Sequence, residues 1–139
     1  MINDRKTLIS ITPPTVPLED AEQRIIFQWA GMETAAHPEL GLLYAIPNGG
    51  KRAIKTAIAL KAQGVKSGVP DMCLPVARGG YHGLYIELKR QKGGVVSETQ
   101  KSWITALAEQ GYKAVVCRGA DEAIGTIKEY LWEHTSTKT

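Results

Sequence analysis

The sequence predicts an α/β protein, a mixed β-sheet flanked by helices, in one domain. Three observations predict it. The chain has 139 residues, enough for one domain and little else. It is 43% hydrophobic and 22% charged, so it can bury a core without disulfides or a structural metal. Its apolar pattern alternates between helical and strand-like periods in the order α-β-α-β-β-α-β-α, with one hairpin in the middle.

Taken in order, residues 1–17 hold Pro13, Pro14 and Pro17 and read as an irregular lead-in to a domain spanning 18–134. Leu18, Ala21, Ile25, Ile26 and Trp29 recur at helical spacing, and that helix fades near Gly31. After His37-Pro38, the run Leu42 to Ile46 fits a short buried strand, ended by Pro47-Asn48-Gly49-Gly50. Lys51 to Gln63 is an alanine-rich helix stopped at Gly64. Asp71 to Ala77 and Gly83 to Arg90 are strands joined by a turn at Arg78 to His82. Beyond Gly93-Gly94, Ser97 caps a helix running to Gln110. A capping box with Ser97 is one use for Gln100. Lys113 to Arg118 is a strand and Asp121 to about Glu133 the last helix, leaving residues 135–139 as a fraying tail.

Several function classes are excluded or disfavoured. No apolar run approaches the roughly 20 residues that cross a bilayer, and the N-terminus lacks a signal-peptide pattern, so a cytoplasmic protein without membrane contact is expected. Cys73 and Cys117 stand 44 positions apart in apolar runs and read as buried thiols. His37, His82 and His134 have no motif around them. Trp29, Trp103 and Trp132 occupy helical positions suited to packing. No motif calls for a small organic cofactor. Asn48-Gly49-Gly50-Lys51-Arg52 lacks the spacing and hydroxyl of a nucleotide-binding phosphate loop. It reads either as an ordinary strand-to-helix turn or as glycines presenting backbone N–H groups to a phosphate.

Charge is distributed unevenly. Residues 50–92 carry nine basic side chains against two acids, while the segments on either side are net negative. Such a basic middle third suits a polyanion. Its two acids, Asp71 and Glu87, are therefore conspicuous. Glu87 and Lys89, two apart on a strand, project from one face. With the hairpin turn centred near Gly79-Gly80, the residue opposite Asp71 falls at about 88 or 89, bringing Asp71 beside Glu87 and Lys89. Two carboxylates held together repel, and a divalent cation relieves them. Hard oxygen ligands with open water positions suit Mg²⁺. That chemistry polarises a phosphodiester and activates water. An acid-x-lysine triplet alone is common, as Asp4-Arg5-Lys6 illustrates; Pro70-Asp71 with Glu87-Leu88-Lys89 on an apolar hairpin is far more specific.

Pro70-Asp71 followed by Glu87-x-Lys89 resembles the PD-(D/E)XK nuclease superfamily. More narrowly, Ile46-Pro47-Asn48-Gly49-Gly50-Lys51-Arg52, Leu60-Lys61-Ala62, Gly64-Val65-Lys66, Gly68-Val69-Pro70-Asp71, Gly83 to Lys89, and Ser97 with Gln100 and Trp103 resemble the virus-type replication-repair nuclease (VRR-NUC) domain. The resemblance covers about residues 18–130 and suggests a stand-alone phage or bacterial member. It implies a restriction-endonuclease-like fold and a deoxyribonuclease dependent on Mg²⁺ or Mn²⁺. Asp71 and Glu87 would be metal ligands with the Leu88 carbonyl, Lys89 the catalytic lysine, and Gln100 the accompanying glutamine. The family carries an acid on its first helix. Glu19, four before Gln23, has the spacing expected for it and would help hold the metal. Glu22, on the apolar line of Leu18, Ile25 and Trp29, is the alternative. Asn48, Lys51, Arg52, Lys55, Lys66 and Arg90 would line the DNA backbone. The resemblance also implies branched DNA, such as a Holliday junction, as substrate in replication, repair or recombination, cut by a homodimer. The rivals are a non-catalytic nucleic-acid-binding module of the same fold and a nuclease acting on duplex ends or RNA.

Overall fold

The computed structural model describes residues 16–47 and 54–133. Most of the lead-in, Asn48, Lys51 and Arg52 of the glycine-rich loop, His134 and the tail lie outside the described residues. Helix α1 (Glu19–Glu33) opens with Glu19, Asp20 and Glu22 in its first turn, where acids complement the helix dipole. It runs past Gly31 to a C-cap at Thr34, whose hydroxyl donates to the Ala30 carbonyl at 2.7 Å. Its buried line is Glu22, Ile26 and Ala30, whereas Leu18 and Ile25 are 60% and 45% exposed. The expected apolar line of Leu18, Ile25 and Trp29 is thus rotated, because the helix turns Ile26 rather than Ile25 to the sheet.

A 3₁₀ turn (Pro38–Leu42) leads to β1 (Tyr44–Ala45). This strand is shorter and more exposed than the apolar run suggests. It is the edge of the sheet, and the buried leucines nearby are Leu40 and Leu43. Helix α2 (Ile54–Ala62) ends where Gly64 takes φ +98°. The Gly64 N–H donates to the Lys61 carbonyl and the Val65 N–H to the Leu60 carbonyl, the paired bonds of a Schellman stop.

The sheet continues with β2 (Met72–Leu74), β3 (Leu84–Lys89) and, after α3 (Glu98–Glu109), β4 (Lys113–Arg118). Strand order is β1-β2-β3-β4, antiparallel except for the parallel β3–β4 pair. β2 is shorter than expected because Pro75 has no N–H to donate to a ladder. At the hairpin tip Arg78 and Tyr81 exchange backbone bonds across Gly79-Gly80, both at positive φ, as a two-residue turn requires. The first arm has one more residue than the second between Leu74↔Leu84 and Arg78↔Tyr81. That extra residue moves the register: Met72 faces Ile86, so continuing the ladder sets Asp71 opposite Glu87 rather than 88 or 89.

Alternation gives the sheet two unlike faces. Met72, Leu74, Leu84, Ile86, Leu88 and Cys117 form the core with Ile26 and Ala30 of α1 and with Ala123 and Ile127 of α4 (Ala120–Lys128). A final π-helical turn, Glu129–Glu133, adds Tyr130, whose hydroxyl donates to the Val76 carbonyl at 2.6 Å. Trp29 and Trp132 meet edge-on at 6.4 Å against this core, as packing residues. Trp103 does not join them; it lines a pocket beside α2. Both cysteines are buried free thiols. No described helix is long and apolar enough to cross a membrane. The other face carries Cys73, Tyr85, Glu87 and Lys89.

Candidate active site

Cross-strand partners point to one face of a sheet. The register therefore sets the Asp71 and Glu87 side chains side by side, with Lys89 two positions on. Asp71 Oδ2 accepts the Leu88 N–H at 2.6 Å. Glu87 is 2% exposed and Lys89 8%. Glu87 Oε2 lies 3.6 Å from Lys89 Nζ and accepts from Gln100 Nε2 at 3.1 Å. Glu87 Oε1 is buried without a hydrogen-bond partner.

These contacts perturb both acids. Burial, then the charge of Asp71 and a hydrogen bond to it, push the Glu87 carboxyl up to about 8, against the opposing pull of Lys89. Asp71 is raised as well, mainly by burial, with the Leu88 N–H, Glu87 and Lys89 pulling it back. While both acids are ionised Glu87 Oε1 has no donor; a proton held between the acids or a cation fills that need.

The residues present fit a hard divalent cation. The donors are two carboxylates, one with a buried oxygen unsatisfied. A strand residue points its N–H and C=O to the same side, so the Leu88 carbonyl lies on the edge facing Asp71. Few protein oxygens with room for water is the arrangement Mg²⁺ takes. Among the described residues no three His, Cys, Asp or Glu side chains gather into one group, so a cation here rests on the pair and main-chain oxygen.

Gln100 serves both uses read from the sequence. Its Oε1 accepts the Ser97 N–H at 2.9 Å while Ser97 Oγ accepts the Gln100 N–H at 3.1 Å, completing a capping box at the start of α3. Its Nε2 is thereby aimed at Glu87. The helix cap is the device that orients the glutamine.

The first-helix acids separate. Glu19 stands half-buried in the first turn of α1. Glu22 is 4% exposed, and its Oε2 accepts the Ala120 N–H at the N-terminus of α4 at 3.0 Å; Gln91 Nε2 approaches both its oxygens at 3.4 Å. The Gly119 N–H donates to the Lys89 carbonyl at 3.0 Å. A Cβ on Gly119, at φ +88°, would lie 2.6 Å from Glu22 Oε2, so only glycine allows this approach. Glu22 thus braces the end of β3 behind Lys89.

Lys55 and Lys66 are exposed, Lys55 on α2 and Lys66 on the loop after it. Arg90 is otherwise employed: its Nε donates to the Pro17 carbonyl at 3.2 Å and Nη2 to the Val16 carbonyl at 2.8 Å, tying down the entry to α1. Sequence reasoning missed Gln91, Gly119 and Arg118. The last donates Nη1 to the Gly93 carbonyl at 2.6 Å and Nη2 to that of Gly94 at 3.3 Å, holding the loop between β3 and α3. The available signal was a pair of adjacent glycines directly after the motif strand.

The VRR-NUC domain model matches residues 18–121. A solved structure described as a VRR_NUC domain protein superposes with a TM-score of 0.73 at 33% identity, covering 84% of this chain and 90% of that one. No curated protein matches. The hairpin with its facing acids, the capped glutamine and these two likenesses agree: the chain belongs to the VRR-NUC family, a nuclease-type domain of the PD-(D/E)XK superfamily.

Proposed function

We propose that this protein is a metal-dependent deoxyribonuclease that hydrolyses phosphodiester bonds at the Asp71–Glu87–Lys89 site. The observation that carries the reading is the unsatisfied Glu87 Oε1, sealed beside a second carboxylate and a buried lysine. Burying two acids together is costly unless something positive joins them. Mg²⁺ or Mn²⁺ held by Asp71, Glu87 and the Leu88 carbonyl would polarise the scissile phosphate and acidify a water.

The chain's own groups supply the rest. Lys89, fixed against Glu87 and braced from behind through Gly119, presents a charge that does not need to reorganise as negative charge grows on the phosphate. Gln100 holds Glu87 Oε2, leaving Oε1 to face a ligand. Glu19 would act on the metal through water. Lys55 and Lys66 attract the phosphate backbone, with Asn48, Lys51 and Arg52 of the preceding loop. Branched DNA is the proposed substrate, cut by a homodimer, because a four-way junction offers two symmetric strands and each domain makes one cut.

The test compares wild type with Lys89→Ala on a four-way junction, a 5′ flap and plain duplex, each with Mg²⁺, Mn²⁺ or EDTA. Metal-dependent symmetric cuts in the junction, lost in the variant, are expected. Binding without cutting under either metal would overturn the assignment.

A further inference from the structure

A pocket between α2 and α3 is not used by the hydrolytic groups. After the Schellman stop of α2, the chain runs to Asp71 along α3. Gly68, at φ +87°, sits so close that a Cβ there would lie 2.4 Å from Thr99 Cγ2. This pins the loop to the first turn of α3, next to Gln100. Between the loop, α2 and α3 lies a pocket of about 530 Å³, walled by Ala57, Leu60, Val65 and Trp103, with Lys61 and Lys66 as its charged residues. A second space of about 380 Å³ shares Val65, Lys66 and Trp103 and reaches Ile46, whose N–H donates to the Asp71 carbonyl at 2.8 Å. Trp103 is one helical turn from Gln100, and such residues share a helix face about 5–6 Å apart. Each wall is thus connected to the acid pair, one through Gln100 on α3 and the other through Ile46 on Asp71.

We infer that this pocket takes one unpaired nucleotide of the DNA substrate, its base stacked on Trp103 and its phosphates held by Lys61 and Lys66. The inference rests on the nuclease reading, whose substrate it sharpens. Its volume is in the range of small-ligand pockets. An aromatic wall stacks any base, and lysines attract phosphate without regard to sequence. Extruding a paired base costs unstacking and unpairing energy that an already unpaired one does not, so the pocket favours branched DNA with a nucleotide unpaired or easily opened at the branch point. A pocket built for an apolar side chain has no use for two lysines.

The test uses the full chain and a duplex carrying 2-aminopurine, either fully paired or as a single unpaired nucleotide at a nick or branch. Ca²⁺ is present, and strand integrity is checked on a gel. Wild type should dim the unpaired probe on binding and hold it about tenfold more tightly than the paired one. Trp103→Phe should keep both effects; Trp103→Leu should lose both while binding paired duplex unchanged. If wild type fails to dim the unpaired probe, or Trp103→Leu weakens paired and unpaired binding equally, the inference fails. That first readout needs no variant to fold. Cutting with Mn²⁺ is scored separately: a protein that cuts nothing fails the nuclease reading, while dimming still decides this one.

Discussion

Glu22 and Glu87 are both almost fully buried carboxylates on the same protein, and they do opposite things. Glu22 is met by donors: the Ala120 N–H at a helix N-terminus and the Gln91 amide. Glu87 is given one amide and one ammonium, is set opposite another acid, and has an oxygen with no donor while both acids are ionised. Burial alone marks neither as functional. The difference lies in satisfaction: the partners of Glu22 are all protein groups and tie the fold together, whereas Glu87, left short of one, fits the proposed metal.

Substitution should separate the two by the largest margin. Glu87→Gln is expected to lower metal-dependent cutting about 1,000-fold while leaving the melting temperature unchanged or raised, since the amide is neutral like the protonated acid and removes the cost of ionising it in the core. Glu22→Ala should do the reverse. It leaves the Ala120 N–H and Gln91 without their acceptor, costing about 2–3 kcal/mol and about 5–10 °C in melting temperature, with cutting retained where the protein stays folded. Parallel thermal melts and cleavage assays read both; equal effects on both quantities would collapse the distinction.

The next effect is on pH. The folded Glu87 carboxyl titrates near 8, above its ordinary value of 4.5. The folded state then binds the proton more tightly than the unfolded state, so this contribution is present below about 4.5 and is lost as pH rises through about 8. Metal-free wild type should therefore lose more stability between pH 5 and pH 8 than Glu87→Gln does, as read by the difference between their melting curves. Saturating Mn²⁺ should restore stability at pH 8 in wild type. A slope unchanged in Glu87→Gln would assign the proton elsewhere.

The smallest contrast divides the two jobs of Gln100. Ser97→Ala removes the cap, costing about 1 kcal/mol, with cutting nearly intact. Gln100→Ala should add a loss of about 10-fold in metal affinity or rate, because the amide no longer orients Glu87. Metal titrations on the two variants distinguish orientation from capping.

How much of this was legible beforehand follows from distance along the chain. Glu87 and Lys89 share a strand face at spacing two, Ser97 and Gln100 a helix start at spacing three, and the hairpin brings Asp71 within a residue of its true partner. The small error came from one extra residue in the Pro75-to-Ala77 arm, which no periodicity records. Glu22 was ambiguous because its partner is Ala120, 98 positions away, and helix phase alone cannot tell which of two adjacent isoleucines faces the sheet. Arg90 looked like a phosphate contact because its charge is local knowledge; its use on Val16 and Pro17 is tertiary. Trp103 read as core because helical spacing does not say which side of the sheet the helix covers.

Calorimetric titration of Mn²⁺ at pH 8 into wild type, Glu87→Gln and Glu22→Gln tests the central claim most directly. The account predicts a saturable site in wild type that is lost in Glu87→Gln and kept in Glu22→Gln. A site that survives Glu87→Gln, or disappears only in Glu22→Gln, would contradict it.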